Sequence, residues 1–194
     1  QRELCAWQLR PSAAGHLQPT LTHAKEQDFG LADRLYGLFS SRRKADATLR
    51  ELAESHQLCL VMLGLENRTQ ANKPCFAHQL RRCHGACIGA ESVAAHQTRM
   101  EAALASLQVK TWPYPSPVGL LETGDKRQDV HVVHNWCYLG TAHSEEELWR
   151  LLNEMPARPA FDRDTYKILI RALSHNQVSI RILPAKKEIQ IGDV

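Results

Sequence analysis

The sequence has no long hydrophobic run, few aromatic residues and little net charge. No apolar stretch in the 194 residues approaches the roughly 20 that a membrane-spanning helix needs, so the sequence predicts no membrane span. A formal net charge of +3 does not by itself indicate a nucleic-acid partner. With 43% hydrophobic and 23% charged residues, the chain is typical of a globular protein of one medium domain or two small ones.

A secretory signal is also lacking. The opening residues, QRELCAWQLR, contain no apolar core of the kind that a signal peptide requires. We therefore expect the chain in a bacterial or nuclear interior, where thiols stay reduced. Because the chain opens with Gln1 rather than methionine, we also expect a fragment or a processed product.

The most informative feature present is a set of four cysteines: Cys59, Cys75, Cys83 and Cys87. The last three follow the spacing C-x7-C-x3-C, which differs from the paired C-x2-C of zinc ribbons. Four thiolates suit a tetrahedral zinc ion or an iron–sulfur cluster. Cys83 and Cys87 are four residues apart, so we expect one helical turn to present both sulfurs on the same face. These four residues are the predicted metal ligands.

Core packing and disulfides are the alternatives for this set, since cysteine is often only a small buried residue. The neighbouring cations Arg81 and Arg82 favour thiolates over an apolar core. His78 and His84 lie close enough in sequence to be substitute ligands, although solvent- or DNA-facing roles suit them better. The remaining cysteines sit among apolar neighbours and are predicted core residues, Cys5 and Cys137.

Positive charge is concentrated around the same region. Arg42, Arg43 and Lys44 form one cluster, and Arg81 and Arg82 form a second, in a stretch without acidic residues from Asn67 to Ala90. Such clusters suit DNA phosphates, and a solvated polar face is the alternative. If one metal holds Cys59 near Cys83, we expect the two clusters to be neighbours.

The proline-rich segment TWPYPSP divides the chain into residues 1–110 and 111–194. The predicted fold class is α+β, with a cysteine-rich metal-binding module followed by a small α/β domain with antiparallel strands. In the first part we expect two short strands, ELCAWQLR and LQPTLTHA, then a helix with Ala45 and Leu49 on its buried stripe, and a helix over about 92–107 that buries Val93 and Met100. In the second part we expect the strands VGLLE and DVHVVHNWCYLG, helices capped by Ser144 and by Asp162 or Asp164, and a half-buried strand over 178–183.

Several segments resemble the UvrC family of bacterial excinucleases. The cysteine region matches the UvrC pattern in Tyr36-Gly37-Leu38-Phe39-Ser40-Ser41-Arg42-Arg43, Lys73-Pro74-Cys75-Phe76, Arg82-Cys83 and Gly85-Ala86-Cys87-Ile88-Gly89. The second half resembles the short, Cho-type members in Trp112-Pro113, Asn135-Trp136, Leu139-Gly140 and the stretch from Phe161 to Leu169. The resemblance covers nearly the whole chain.

The resemblance implies a bacterial, cytoplasmic DNA-repair protein that cuts damaged double-stranded DNA on the 3′ side of a lesion presented by UvrB. We expect the catalytic GIY-YIG nuclease domain, with its divalent metal, to be missing from this sequence, because Tyr138-Leu139-Gly140 matches only half of its signature and HVVHNWC does not supply the other half. We therefore expect a non-catalytic part that binds DNA and UvrB. We expect a [4Fe–4S] cluster on the four cysteines, with structural zinc as the alternative. The rival interpretation is a zinc-dependent protein-interaction module that does not bind DNA.

Overall fold

The structure, a computed structural model, describes residues 3–67, 73–124, 128–174 and 178–184. It divides into two compact units. Unit 1 comprises the residues up to Gln27 together with Ala32–Lys110, and unit 2 comprises Asp28–Leu31 together with the chain from Thr111 onward. In the part of the chain that the structure describes, no helix has the length and apolar character needed to cross a membrane.

Unit 1 contains a three-stranded antiparallel sheet. Its strands are β1 (Cys5–Pro11), β2 (Leu17–His23) and β3 (Leu35–Phe39), in the order β2-β1-β3. Alternate side chains of β1, at Cys5, Trp7 and Leu9, are buried on one face of the sheet, as the period of a strand requires. This face forms one side of the core of unit 1.

Two helices pack against that face, α1 (Arg42–Ser55) and α3 (Val93–Leu104). The short helix α2 (Phe76–Gln79) lies in the cysteine region, and 3₁₀ turns occur at Ala86–Ile88 and Ala105–Leu107. Ser41 caps α1 by accepting a hydrogen bond from Lys44 N at 3.4 Å. The predicted stripe is confirmed, since Ala45 and Leu49 are fully buried, and Trp7 Nε1 donates to Ala45 O at 3.1 Å.

The buried side of α3 differs in one position from the prediction. Met100 and Leu104 are fully buried as expected, but Val93 is 43% exposed. The helix also buries Ala103 and His96, and His96 is 1% exposed and lies one turn before Met100. A polar residue therefore occupies part of the apolar stripe. It is tolerated there because its Nε2 accepts a hydrogen bond from the backbone N–H of Cys59.

Unit 2 contains a four-stranded antiparallel sheet in the order β6-β5-β4-β7. Its strands are β4 (Val118–Thr123), β5 (Gln128–His134), β6 (Cys137–Ala142) and β7 (Ser179–Ile182). The segment DVHVVHNWCYLG, expected as one strand, is two strands joined by a two-residue turn. Asn135 and Trp136 both adopt positive φ, 49° and 62°, and this is the geometry of a tight hairpin turn.

Two helices accompany this sheet, α4 (Glu145–Asn153) and α5 (Arg163–Ser174). Ser144 caps α4 by accepting a hydrogen bond from Glu147 N at 3.2 Å, as predicted. Asp162 Oδ1 accepts hydrogen bonds from Asp164 N at 3.0 Å and Thr165 N at 2.7 Å, so Asp162 caps α5. Both helix starts follow from sequence signals.

The strand β7 is more exposed than predicted. All four of its residues are exposed, including Ile182 at 55%, and only the following Leu183 is buried. The physical reason is its position at the sheet edge, while α4 contacts β5 and β6. Leu183 joins the core that α4 closes, together with Val132, Ala142, Leu148 and Leu152.

A short segment from the first part of the chain belongs to unit 2. Phe29 is fully buried, with its ring 5.7 Å from that of Phe161. Asn135 Nδ2 donates to Asp28 Oδ2 at 2.8 Å. A side chain on Gly30 would collide with the backbone of Asn135, so the close approach requires glycine there.

Candidate metal centre

Cys59 lies in the turn that follows α1 and is fully buried. The turn is held to the helix because Leu58 N donates to Ala53 O at 2.8 Å. The Cys59 backbone N–H donates to Nε2 of His96 at 3.0 Å. The imidazole on α3 thus fixes the backbone of the first predicted ligand.

The structure brings Cys75 and Cys83 to the same place. The Sγ atoms of Cys59 and Cys75 are 3.8 Å apart, and those of Cys75 and Cys83 are 3.5 Å apart. All three sulfurs lie within 4.8 Å of one another and all three residues are buried. Cys75 also caps α2, because its Sγ accepts a hydrogen bond from His78 N at 3.4 Å.

Cys87 joins the same buried cluster, in which the apolar neighbours are Met62 and Ala86. After burial, hydrogen bonding with Cys87 is one of the influences on the pKa of Cys59, so Cys87 lies beside it. The sulfur of Cys87 is not among the three that lie within 4.8 Å of one another. The four predicted ligands therefore share one cluster, with three sulfurs close together and the fourth beside Cys59.

The expectation that one helical turn presents Cys83 and Cys87 is wrong. Helix α2 ends at Gln79, and Cys87 lies in the 3₁₀ turn Ala86–Ile88. Gly85 lies between the two cysteines and adopts φ +78°, which a helix does not allow. A Cβ there would lie only 2.7 Å from Cε1 of His78. Glycine lets the loop close tightly around the sulfurs.

The distances between the three sulfurs can be compared with the sulfur–sulfur distances expected around a bound metal. Four sulfurs bound tetrahedrally to one ion at about 2.3 Å are separated by about 3.8 Å. The measured 3.8 Å and 3.5 Å are close to that edge length. In a cubane iron–sulfur cluster each thiolate binds a different iron, so the sulfurs lie farther apart. All six cysteines are free thiols, and none is paired in a disulfide.

Burial makes these thiols hard to ionise without a metal. Removal from water raises the pKa of Cys59 to about 12 and that of Cys75 to about 11. It also raises the pKa of Cys83. A metal cation in the cluster would favour the thiolate over the thiol, because thiolates are the form that binds metal.

Two residues on α3 support the centre and were not predicted from the sequence. His96 holds the Cys59 amide, and Arg99 Nε donates to His56 O at 3.0 Å in the same turn. The Arg99 guanidinium is paired in turn with the carboxylate of Glu91. The position of His96 at helical spacing before Met100 is the sequence signal that could have found it.

The two histidines near the cysteines have other partners. His78 Nδ1–H donates to Cys83 O at 3.0 Å, and His84 Nε2 hydrogen-bonds with Gln57 Oε1 at 2.8 Å. The group of possible metal ligands found among the described residues contains only cysteines. His78 thus contributes to the loop around the sulfurs through the backbone of Cys83.

The predicted basic residues lie towards opposite ends of α1. Arg42, Arg43 and Lys44 form its exposed first turn. Arg82 instead pairs with Glu54 near the other end, with Nη1 3.3 Å from Oε1. Arg42 and Glu54 are twelve residues apart along the helix, or about 18 Å of rise, so the clusters are two patches rather than one surface.

The fold and the cluster together define a class: an α+β protein of two units whose first unit gathers four buried cysteines, three of which lie close enough together to hold a metal. Comparison with known families refines this class. A family model described as the UvrC/Cho excinuclease middle domain matches residues 4–106, and one described as the excinuclease Cho C-terminal domain matches residues 117–187. The chain belongs to the Cho/UvrC excinuclease family.

Curated relatives agree with the family models. A protein named excinuclease cho from Escherichia coli (strain K12) is 39% identical over 172 residues, which cover 89% of this chain and 55% of the relative. A protein of the same name from Salmonella typhi is 36% identical over 179 residues, covering 92% of this chain and 58% of the relative. The chain thus spans little more than half the length of the relatives it matches. No solved structure matches it.

Proposed function

We propose that this chain is the non-catalytic part of a Cho-type excinuclease and that it holds a metal centre and binds DNA. The observation that carries the proposal is the gathering of Cys59, Cys75, Cys83 and Cys87 in one buried cluster of a chain from this family. In the complete protein, a GIY-YIG nuclease domain with its own divalent metal would make the 3′ incision in double-stranded DNA at a lesion bound by UvrB. This chain would position that domain on the DNA and contact UvrB in the bacterial cytoplasm.

The four cysteines would hold the metal, and a [4Fe–4S] cluster is the first candidate because four thiolates are its usual ligand set. A structural zinc ion is the second candidate, favoured by sulfur separations of 3.8 Å and 3.5 Å. Either centre would join the turn after α1 to the loop that contains the other three cysteines. An absorption spectrum of anaerobically purified protein, with iron, sulfide and zinc assays, distinguishes them. A cluster gives broad visible absorption with about four irons per chain, whereas zinc gives a colourless protein with one ion.

The charges on α1 support a role in DNA binding. Arg42, Arg43 and Lys44 occupy the first turn of the helix, and that turn contains no acidic residue. Arg42 is paired within the helix, with Nε 3.6 Å from Oδ2 of Asp46. The helix dipole disfavours cations at a helix N-terminus, and DNA phosphates would offset this by binding Arg43, Lys44 and the N–H groups of this turn.

Arg81 and Arg82 form the second patch, in the loop that contains three of the cysteines. Binding through both patches would be independent of sequence, because phosphates carry no base information. Each phosphate contact contributes about one unit to the slope of log affinity against log salt concentration.

A salt titration tests the DNA proposal. The protein should bind a labelled duplex with an affinity that falls steeply with salt, and changing Arg81 and Arg82 to alanine should reduce the slope by about two units. A matched control is Arg163→Ala with Arg171→Ala on α5 of unit 2, which should leave the slope unchanged. If the wild type binds no duplex at low salt, the rival function, a zinc-dependent protein-interaction module, is correct.

A further inference from the structure

Helix α1 ends in a backbone conformation that its sequence does not favour. Gln57, which follows the C-cap, has φ +52°, in the left-handed region that usually takes glycine. The N–H of Gln57 donates to Glu54 O at 3.4 Å. The N–H of Leu58 donates to Ala53 O at 2.8 Å, and the two bonds together form a Schellman C-cap. Cys59 comes two residues after Gln57, so the position of its sulfur depends on a conformation that is strained for a residue with a Cβ.

One arginine side chain holds this turn from outside α1. Arg99 on α3 donates from Nε to His56 O at 3.0 Å and from Nη2 to Gln57 O at 3.3 Å. Carbonyl groups at the C-terminal end of a helix lack partners within the helix, and the helix dipole favours a cation there. The two accepting carbonyls belong to the peptide groups on either side of Gln57. The guanidinium therefore fixes both of the peptide groups whose orientation defines φ and ψ of that residue.

Arg99 is itself held in a fixed orientation. Its Nη1 and Nη2 donate to the two carboxylate oxygens of Glu91, which lies four residues after Cys87. The Glu91 side chain is only 9% exposed, and hydrogen bonds from Arg99 lower its pKa, so the pair is ionised. A planar guanidinium bonded to a carboxylate through two nitrogens has a defined orientation. This orientation directs the remaining N–H groups of Arg99 towards the turn at the end of α1.

A further contact joins the same turn to the loop that contains the other cysteines. His84, which follows Cys83, donates from Nε2 to Oε1 of Gln57 at 2.8 Å. The backbone of Gln57 is thus held from α3, and its side chain is held from the residue next to Cys83. These contacts connect the turn that carries Cys59 to the cysteine loop without involving the sulfurs.

We infer that Arg99 is a positioning residue for the metal centre: it keeps Gln57 in the left-handed conformation and thereby keeps the Cys59 sulfur beside the other cysteine sulfurs. The inference rests on the proposed metal binding and adds the contact that determines how tightly the metal is held. Removing a residue that orients a metal ligand commonly weakens metal binding by about 10- to 100-fold. His96 still accepts a hydrogen bond from the Cys59 N–H when Arg99 is absent, so binding should weaken rather than disappear.

The test measures the affinity of the metal-free chain for zinc against a competing chelator. Zinc is the probe because thiolates that hold an iron–sulfur cluster also bind zinc. Arg99→Ala should weaken zinc binding by about tenfold or more. Arg99→Lys keeps the charge but cannot reach two carbonyls and a carboxylate at once, so it should lose nearly as much. Arg181→Ala is the control, because it breaks a comparable contact with Glu145 in unit 2 and should leave the affinity unchanged.

A rescue experiment separates the positioning of Gln57 from a general loss of stability. In the Arg99→Ala background, Gln57→Gly should recover most of the lost affinity, because glycine adopts φ +52° without strain. Gln57→Ala also removes the contact with His84 but keeps a Cβ, so it should recover none. Equal affinities of these two double variants, or full affinity in Arg99→Ala or Arg99→Lys, overturn the inference. A wild type that binds no zinc also overturns it, and the iron and sulfide assays then decide whether the proposed metal centre stands.

Discussion

At the scale of single residues, the six cysteines divide by what surrounds their sulfurs. Four share one cluster, whereas Cys5 and Cys137 are each buried among other residues. The thiol of Cys137 donates to Asn135 O at 3.4 Å, and burial raises its pKa to about 12. It is therefore as buried as the cluster thiols but has no second sulfur to share a metal with, which makes it a matched control.

Replacing any one of Cys59, Cys75, Cys83 or Cys87 by alanine should remove the metal and destabilise unit 1. A structural metal contributes several kcal/mol or more to folding, and three thiolates bind it far more weakly than four. Cys137→Ala should leave the metal content unchanged. Metal analysis and thermal unfolding of each variant measure both effects. Full metal content in a Cys87→Ala protein would show that only the three sulfurs closest together are ligands.

The affinity of the metal-free protein for a metal ion should increase as the pH rises. The pKa values of Cys59 and Cys75, about 12 and about 11, mean that both thiols are protonated at neutral pH and must release protons on binding. Affinity should therefore increase throughout the range below about pH 11, by up to tenfold per pH unit for each thiol ionised. Zinc titrations against a competing chelator between about pH 6.5 and 8.5 measure the slope. A flat profile would mean that the thiols are already ionised in the free protein.

The sequence predicts which residues gather when residue type alone is sufficient. It does not predict a role that depends on contact with a distant segment. Cysteine type and number were enough to select four residues that the structure gathers in one cluster. The place of His96 on the buried stripe of α3 could have been read from the sequence, but the contacts of His96 and Arg99 could not, because their partners at 56–59 lie 37 and 43 residues away.

At the scale of elements, the two aspartates of the sequence FDRD, Asp162 and Asp164, could either cap α5 or form a metal-binding pair. The start of α5 allows these alternatives to be tested. Hydrogen bonds from the backbone and side chain of Thr165 lower the pKa of Asp162. Asp162→Ala should destabilise the protein by about 1 kcal/mol, while Asp162→Asn, which can still accept, should cost much less. Urea unfolding at neutral pH measures the difference.

The same cap should depend on pH in a defined direction. Because the pKa of Asp162 in the folded state lies below its ordinary value of 3.8, its charged form stabilises the folded state. That stabilisation is present above about pH 4 and is lost as the pH falls through the folded pKa, so Asp162→Ala should cost less in acid. An equal loss of stability for the alanine and asparagine variants, with loss of a bound divalent ion, would instead support a metal pair with Asp164.

Elements with strong local signals were predicted, and those set by neighbours were not. Caps at Ser144 and Asp162 and the stripe of α1 follow from sequence. The turn between β5 and β6 was missed because Asn135-Trp136 lacks the glycine that usually marks such hairpins. The exposure of β7 was missed because the burial of a strand depends on what packs against it.

At the scale of the whole molecule, the chain by itself should have no nuclease activity. The sequence contains no paired-tyrosine signature, and Tyr138 is an exposed residue of β6 whose hydroxyl hydrogen-bonds with Thr141. Highly purified chain with magnesium or manganese should leave a damaged or pre-nicked duplex intact. Nicking that disappears in a variant of this chain, such as Tyr138→Phe, would refute the expectation. Nicking that persists in every variant indicates a contaminating nuclease.

The four residues Asp28–Leu31 have a consequence for how the protein is made. They leave the ribosome before their partners Asn135 and Phe161, which are synthesised more than one hundred residues later. Since closing so long a loop costs only slightly more entropy than closing a short one, the delay affects timing more than stability. During synthesis Phe29 must remain without its partners while the residues around it fold, so it is available to a chaperone until unit 2 is complete.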